Sequence, residues 1–361
     1  MFKNNKIKSI FFSKNTILNN NKILKKFIII YRTFGKLNFN KSNIVLICHA
    51  LNASHNITNE NLKFKKKGWW YNMIWYNRSL DIKKFFIIGI NNLGSCFGST
   101  GPNNINYIKK KIFGYNFPKL NIEDWVKIQK MLLNKLNLKK ISVVLGGSLG
   151  GMQAICWSIL NYNRLKYCII VATTIKLSIN NIIFNNISKN SILYDTNFYN
   201  GNYYKYNIKP NKGLGIARML GHFSYSSYYI FNKKFNNSLF NINYEIEKYF
   251  KYQSKKFIMN FDANTYLIIT NILNNINIIN NKKFYFKNDK NKICYLLISF
   301  TTDIRFPKKE NFKIINRKIK NKKIINFINI KCPDGHDSFL SKNFFYIYIV
   351  NIFFKIIFKK I

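Results

Sequence analysis

Short runs of β-branched and other apolar residues alternate with longer stretches of helical spacing through the first half of the chain, and the pattern returns at its end. Residues 44–48, 85–90, 141–145, 167–171, 293–300 and 324–330 are apolar at nearly every position. Strands look like this when helices cover both faces of a parallel sheet. The pattern predicts an α/β architecture with a mostly parallel, doubly wound sheet. Between about residues 174 and 290 the strand-like runs vanish, Asn and Tyr abound, and 216–222 and 262–273 fit helices. That stretch reads as an inserted helical lid. The expected organisation is therefore a first core part over 1–173, a helical lid over 174–290 and a second core part over 291–361. The Asn- and Lys-rich tracts 274–292 and 316–323 read as low-complexity loops or solvated helix faces. The apolar run 344–354 is shorter than the roughly 20 residues a membrane span needs, and reads as a terminal core helix or strand.

The length of 361 residues allows one large domain with an insertion, or two modest ones. Lys and Arg total 59 against 13 for Asp and Glu, a formal charge of +46, which would ordinarily point to a polyanion. Yet 47% of residues are hydrophobic and 17% aromatic, too apolar for a disordered basic tail. The Lys excess is spread evenly with Asn, Ile, Phe and Tyr, as a coding sequence poor in G and C produces. Charge therefore identifies no partner, and neither nucleic acid nor a membrane is expected. Six Cys without a C-x-x-C pair read as a reduced, cytoplasmic protein lacking a disulfide framework or structural zinc. Four His make a multi-His metal site a poor reading, and no metal or other cofactor is expected. The first twenty residues lack the apolar core and small-residue cleavage site of a secretory signal.

The most informative local segment is Gly146-Gly147-Ser148-Leu149-Gly150, a G-x-S-x-G match placed directly after an apolar strand and directly before a helical stretch. A nucleophile elbow requires that context, because the turn admits only small flanking residues and lifts the serine hydroxyl out at the sheet's carboxyl edge. The competing reading is a tight or phosphate-cradling turn. A nucleophilic serine needs a base and an acid, in the chain order Ser, Asp/Glu, His. Two His follow it, His222 in the lid and His336 in a Pro/Gly loop after the last strand. Among the scarce acids Asp303 ends the strand 295–300, with Asp334 and Glu310 as competitors. Asp303 could instead cap a helix and His336 could be an ordinary loop residue, but both fall at the ends of late strands. Ser148, Asp303 and His336 are thus the expected triad. An oxyanion hole would use the Leu149 N–H and one from the loop after an early strand, Leu51 or alternatively Asn52.

Longer motifs carry a resemblance. Tyr31-x-Thr33-x-Gly35-x-Leu37-Asn38, the segment His49 to His55, Gly68-Trp69-Trp70, Asn91 to Pro102, the Gly146 to Ala154 elbow, Ala217 to His222, Asp262 to Leu267 and Gly335-His336-Asp337 together resemble the homoserine O-acyltransferases of the α/β-hydrolase fold. The resemblance runs from about Tyr31 to Leu340. It implies ping-pong transfer of an acyl group from an acyl-CoA to the γ-hydroxyl of L-homoserine, a step of methionine biosynthesis, in a homodimer. Carried over by position, it implies Ser148 as nucleophile, Asp303 as acid and His336 as base. Arg218 would hold the homoserine carboxylate as a forked pair and Asp337 its ammonium. Two branches differ in the acyl group. Arg305, two residues past the acid, resembles the succinyl branch, where the acetyl branch has Leu. A buried cation there would pair the free carboxylate of a succinyl group. Acetyl transfer and plain ester hydrolysis are the alternatives. Ile304 departs from the family pattern, which has Trp there.

Overall fold

The computed structural model describes residues 6–58, 67–236, 241–278, 293–319 and 324–360. The main strands are β1 (Lys8–Phe12), β4 (Phe27–Phe34), β5 (Ile44–Cys48), β6 (Phe86–Ile90), β7 (Ile141–Gly147), β8 (Leu165–Val171), β9 (Cys294–Phe300) and β10 (Ile324–Ile330). They form one sheet in the order β1-β4-β6-β5-β7-β8-β9-β10, and β2 (Thr16–Ile17) pairs with β3 (Ile23–Leu24) in a small separate hairpin. From β6 to β10 every neighbouring pair is parallel. The six apolar runs all form strands of this parallel part. The antiparallel edge of β1 and β4 was not expected. β4 alternates buried and half-buried positions, so it carries the signature of a one-sided strand instead of a continuous apolar run.

β5, β6 and β7 are buried throughout, and alternate side chains leave the sheet on opposite faces. Leu46, Ile88 and Val144 enter one core with α1 (Ile122–Lys135) and α2 (Leu149–Leu160). Val45, Ile87 and Val143 enter the other with α9 (Phe344–Lys359). The terminal apolar run is therefore a helix. It buries Tyr346, Val350, Phe354 and Ile357, which fall on one stripe. Among the described residues no helix is long and apolar enough to cross a membrane.

Two features place the site. First, β6 and β7 flank β5 on opposite sides, so the winding of the chain reverses there and a crevice opens at the strands' carboxyl ends. Second, α3 (Ile179–Leu193), α4 (Asn211–Tyr225), α5 (Tyr228–Phe235), α6 (Ile242–Ile258) and α7 (Ala263–Asn274) all lie between β8 and β9 in the chain. Residues 216–222 fall inside α4. α7 starts after Asp262, whose carboxylate accepts the Thr265 N–H at 2.8 Å as an N-cap. The end of α4 is pressed against the loop after β10. Ser227 donates to the Pro333 carbonyl, and a Cβ on Gly335 (φ 70°) would strike the Tyr225 carbonyl. α8 (Lys308–Ile319) follows β9. Most of the 274–292 tract, and residues 320–323 of the second, lie outside the described residues.

Candidate active site

Ser148 stands between the last residue of β7 and the first of α2, at φ 55° and ψ −124°. That region costs a residue with a Cβ about 1–3 kcal/mol and persists only where the surroundings impose it. Here the Ser148 N–H donates to the Val171 carbonyl at 2.9 Å, and the Thr173 hydroxyl donates to the Ser148 carbonyl at 2.6 Å. The flanking glycines are sterically required. A Cβ on Gly150 would collide with the Cys48 carbonyl, and one on Gly146 with the Gly150 carbonyl. Because α2 begins at Leu149, that residue's N–H has no acceptor within the helix.

The structure brings the three triad candidates together. His336 Nε2 lies 2.9 Å from Ser148 Oγ, and His336 Nδ1 lies 2.8 Å from Asp303 Oδ2. The other Asp303 oxygen accepts the Arg305 and Phe306 N–H groups, each at 2.9 Å, which fixes the carboxylate's orientation. The rings of Tyr225, Phe306 and Phe339 surround the imidazole at centroid distances of 5.7, 5.2 and 5.5 Å. The competing groups are engaged elsewhere. Glu310 pairs with Lys313 and accepts from Thr174, and Asp334 lies beside the Cys332 thiol. His222 bonds the Tyr249 hydroxyl at 2.7 Å inside the helical segment, where burial pushes its pKa down to about 4.

Ser148 and His336 open onto a cavity of about 450 Å³ that Leu51, Asn52, Arg218 and Asp337 also line. Among the described backbone hydrogen bonds the Leu51 N–H donates to none. Trp69, Phe97, Phe257, Phe261 and Phe339 supply apolar wall. The Arg218 guanidinium lies 5.2 Å from the Phe257 ring centroid, and its buried Nε has no hydrogen-bond partner among the described residues. Burial raises the Asp337 pKa above 3.8, against the opposing pull of His336 and Arg218. Two cavity cations and an acid thus meet beside the nucleophile, since Lys256 of α6 lines the same space.

Arg305 stands differently from the expectation of an acyl-pocket residue. It is buried beside Asp303 but is not among the residues lining this cavity. Its guanidinium donates to Asn185 Oδ1 at 3.2 Å and lies 5.7 and 5.8 Å from the Phe184 and Tyr225 ring centroids, behind a residue of the wall. Tyr225 itself was missed in the sequence. It follows Arg218 by seven residues on α4, a spacing that puts both on one helical face. Gln253 and Lys256 on α6 and Asn260 just after it were missed too, because their spacing alone does not distinguish a cavity wall from a solvated face. A larger cavity of about 660 Å³, bounded by residues such as Asn106, Lys111 and Tyr204, has no serine, cysteine, histidine or acid among its described lining residues.

A family model described as the alpha/beta hydrolase fold matches residues 43–340. A homoserine O-succinyltransferase of Herminiimonas arsenicoxydans is 39% identical over 368 residues, spanning 98% of this chain and 94% of that protein. Among solved structures, a homoserine O-acetyltransferase from Bacillus anthracis superposes with a TM-score of 0.86 at 20% identity, covering 99% of this chain and 98% of that one. An acetylester hydrolase from Corynebacterium glutamicum superposes with a TM-score of 0.79, also at 20% identity, covering 98% and 96%. One of these two structures is of a transferase and the other of a hydrolase, so the likeness establishes the fold and leaves the reaction to sequence kinship.

Proposed function

We infer the reaction from membership: this chain belongs to the alpha/beta hydrolase fold family and, within it, to the homoserine O-succinyltransferases, and it transfers a succinyl group from succinyl-CoA to the γ-hydroxyl of L-homoserine. The observation that carries the reading is identity of 39% across 98% of the chain to an enzyme of that name. The site residues take the following roles in this reading. Ser148 Oγ passes its proton to His336 Nε2 and attacks the thioester carbonyl carbon, while Asp303 holds the imidazole by Nδ1. The N–H groups of Leu149 and Leu51 receive the oxyanion. Collapse breaks the C–S bond, the His336 proton leaves with CoA, and succinyl-Ser148 remains. The homoserine γ-hydroxyl then gives its proton to His336 and attacks the ester. Ser148 recovers a proton as it departs, and O-succinyl-L-homoserine is released. This is ping-pong kinetics, and it draws on no metal or redox cofactor.

Arg218 and Asp337 flank the nucleophile with opposite charges, matching the carboxylate and ammonium of an amino acid. The aromatic wall excludes water that would otherwise hydrolyse the acyl-enzyme. Because burial raises the Asp337 pKa, its carboxylate is protonated at a higher pH than an ordinary aspartate. The KM for homoserine is expected to climb as the pH falls, beginning at a higher pH than it would for an ordinary aspartate. Asp337→Asn should raise that KM roughly 10- to 100-fold near neutral pH and flatten its pH dependence. Steady-state kinetics across pH check both, and a KM unaffected by the substitution would remove Asp337 from the ammonium site.

The direct test of the reaction is CoA thiol release with L-homoserine, comparing succinyl-CoA with acetyl-CoA and weighing the product. Preference for succinyl-CoA is expected; preference for acetyl-CoA, or hydrolysis without transfer, would overturn it. The same reading places the enzyme in the cytoplasm, in keeping with six free cysteines, and makes it a homodimer. The helices between β8 and β9 leave Ile183, Tyr228 and Tyr229 exposed at the surface. Sedimentation velocity reads the oligomeric state.

A further inference from the structure

A closed ring of buried polar groups lies beneath the turn that follows β5. The Asn92 backbone N–H donates to His49 Nε2 at 3.1 Å. A backbone amide can only donate, so Nε2 carries no proton and the neutral ring bears its proton on Nδ1. Nδ1–H then donates to the Ala50 carbonyl at 2.9 Å. Burial supports the neutral form by pushing the His49 pKa down to about 4. The Ala50 carbonyl belongs to the same peptide unit as the Leu51 N–H. A hydrogen bond accepted at the carbonyl end fixes the plane of that unit and strengthens the N–H donor at its other end. The Ala53 N–H adds a second bond to the same carbonyl at 3.1 Å, closing the turn.

The rest of the ring holds the imidazole. Gln129 Nε2 donates to Asn92 Oδ1 and to Gln153 Oε1, each at 2.8 Å, and the Trp157 indole N–H donates to Gln129 Oε1 at 2.6 Å. Gln153 Nε2 closes the circuit on the His49 carbonyl at 3.0 Å, and lies 3.4 Å from the carbonyl of Leu149. Gln153 is completely buried and belongs to α2, the helix whose first N–H is that of Leu149. The ring therefore reaches from the turn that carries Leu51 to the first turn of α2.

We propose that His49 is a positioning residue for the acyl transfer, its Nδ1–H aiming and polarising the Ala50–Leu51 peptide so that the Leu51 N–H meets the oxyanion formed from the thioester carbonyl. The proposal rests on the acyl-transfer reading of Ser148. His49→Leu removes the donor at similar volume, and His49→Asn retains an N–H donor where Nδ1 stood. Loss of an oxyanion donor outright costs about 10²–10³ in kcat. A misaimed donor should cost part of that. His49→Leu is expected to lower kcat roughly 10- to 100-fold with the KM for succinyl-CoA within about twofold, and His49→Asn to recover most of the loss. Equal losses in the two variants, or a loss carried by KM, would overturn the proposal, since His49 would then merely fill space. Should His49→Leu fail to fold, His49→Phe keeps a planar ring in the pocket and lacks the donor. It should lower kcat about tenfold at unchanged KM, and an unchanged kcat overturns the proposal equally. Hydrolysis of p-nitrophenyl acetate, run in parallel, needs the same oxyanion but neither CoA nor homoserine. The comparison of variants therefore stands even if the parent enzyme releases no CoA thiol, which is the separate outcome that would refute succinyl transfer.

Discussion

Ser148→Ala is expected to lower succinyl-CoA-dependent CoA release on the order of 10⁴- to 10⁶-fold. The hydroxyl forms the only covalent link between the two half-reactions, so its loss stops acyl-enzyme formation and every later step together. His336 and Asp303, 2.9 and 2.8 Å along the chain of hydrogen bonds, are left with nothing to activate but water. The fold should survive, because alanine fits the space and inherits the same φ of 55°. Mass spectrometry separates the steps. The parent enzyme incubated with succinyl-CoA alone should gain the mass of one succinyl group, and the variant none. A variant rate within tenfold of the parent would end the Ser148 mechanism.

The second large effect is expected at Arg305. Its guanidinium is buried, and among the described residues its polar contact is to the Asn185 amide oxygen, with no ion pair to a carboxylate; Asp303 is held by the Arg305 backbone N–H instead. A buried cation without an anion is unfavourable in the resting protein and ready to pair with an incoming carboxylate. Arg218 lies in the same neighbourhood, since both guanidinium groups act on Tyr266, whose phenol burial pushes up to about 12. Truncating one partner of a buried charge pair costs about 2–5 kcal/mol, a factor of roughly 30 to several thousand. Arg305→Leu should therefore lower kcat/KM for succinyl-CoA by that factor. Acetyl-CoA, which has no distal carboxylate, should lose less than about threefold. Thermal stability should stay level or rise, because a desolvated lone charge has been replaced by an apolar side chain. Parallel kinetics with the two donors check the ratio. An unchanged ratio would show that Tyr225, which stands between Arg305 and the cavity, keeps the guanidinium out of reach of the acyl group.

Much of this was legible along the chain because it is local. The central strands are apolar at nearly every position, and such runs have few other uses in a chain with this spacing of helical stretches. The elbow is equally local: Gly146 and Gly150 stand where a Cβ would strike backbone within a few residues or on the next strand. What the pattern hid was the antiparallel edge, since β4 is half-buried on one face and reads like an ordinary amphipathic stretch. Tyr225 was hidden for a related reason. Its helix is amphipathic throughout, and nothing in its spacing says that one face meets the catalytic loop and not a packed core.

By itself, then, the sequence determined the layered α/β fold and the kinds of residue available for chemistry, through runs and turns whose physical requirements are met within a few residues. The tertiary structure alone decided which of them act together. Ser148 and His336 are 188 residues apart, and their 2.9 Å hydrogen bond exists because β7 and β10 deliver their loops to one edge of the sheet. The same holds for Arg305 standing behind Tyr225 and for the His49 ring closed by α1 and α2. Side-chain partners across a sheet edge follow from strand order and helix packing, which no local periodicity records.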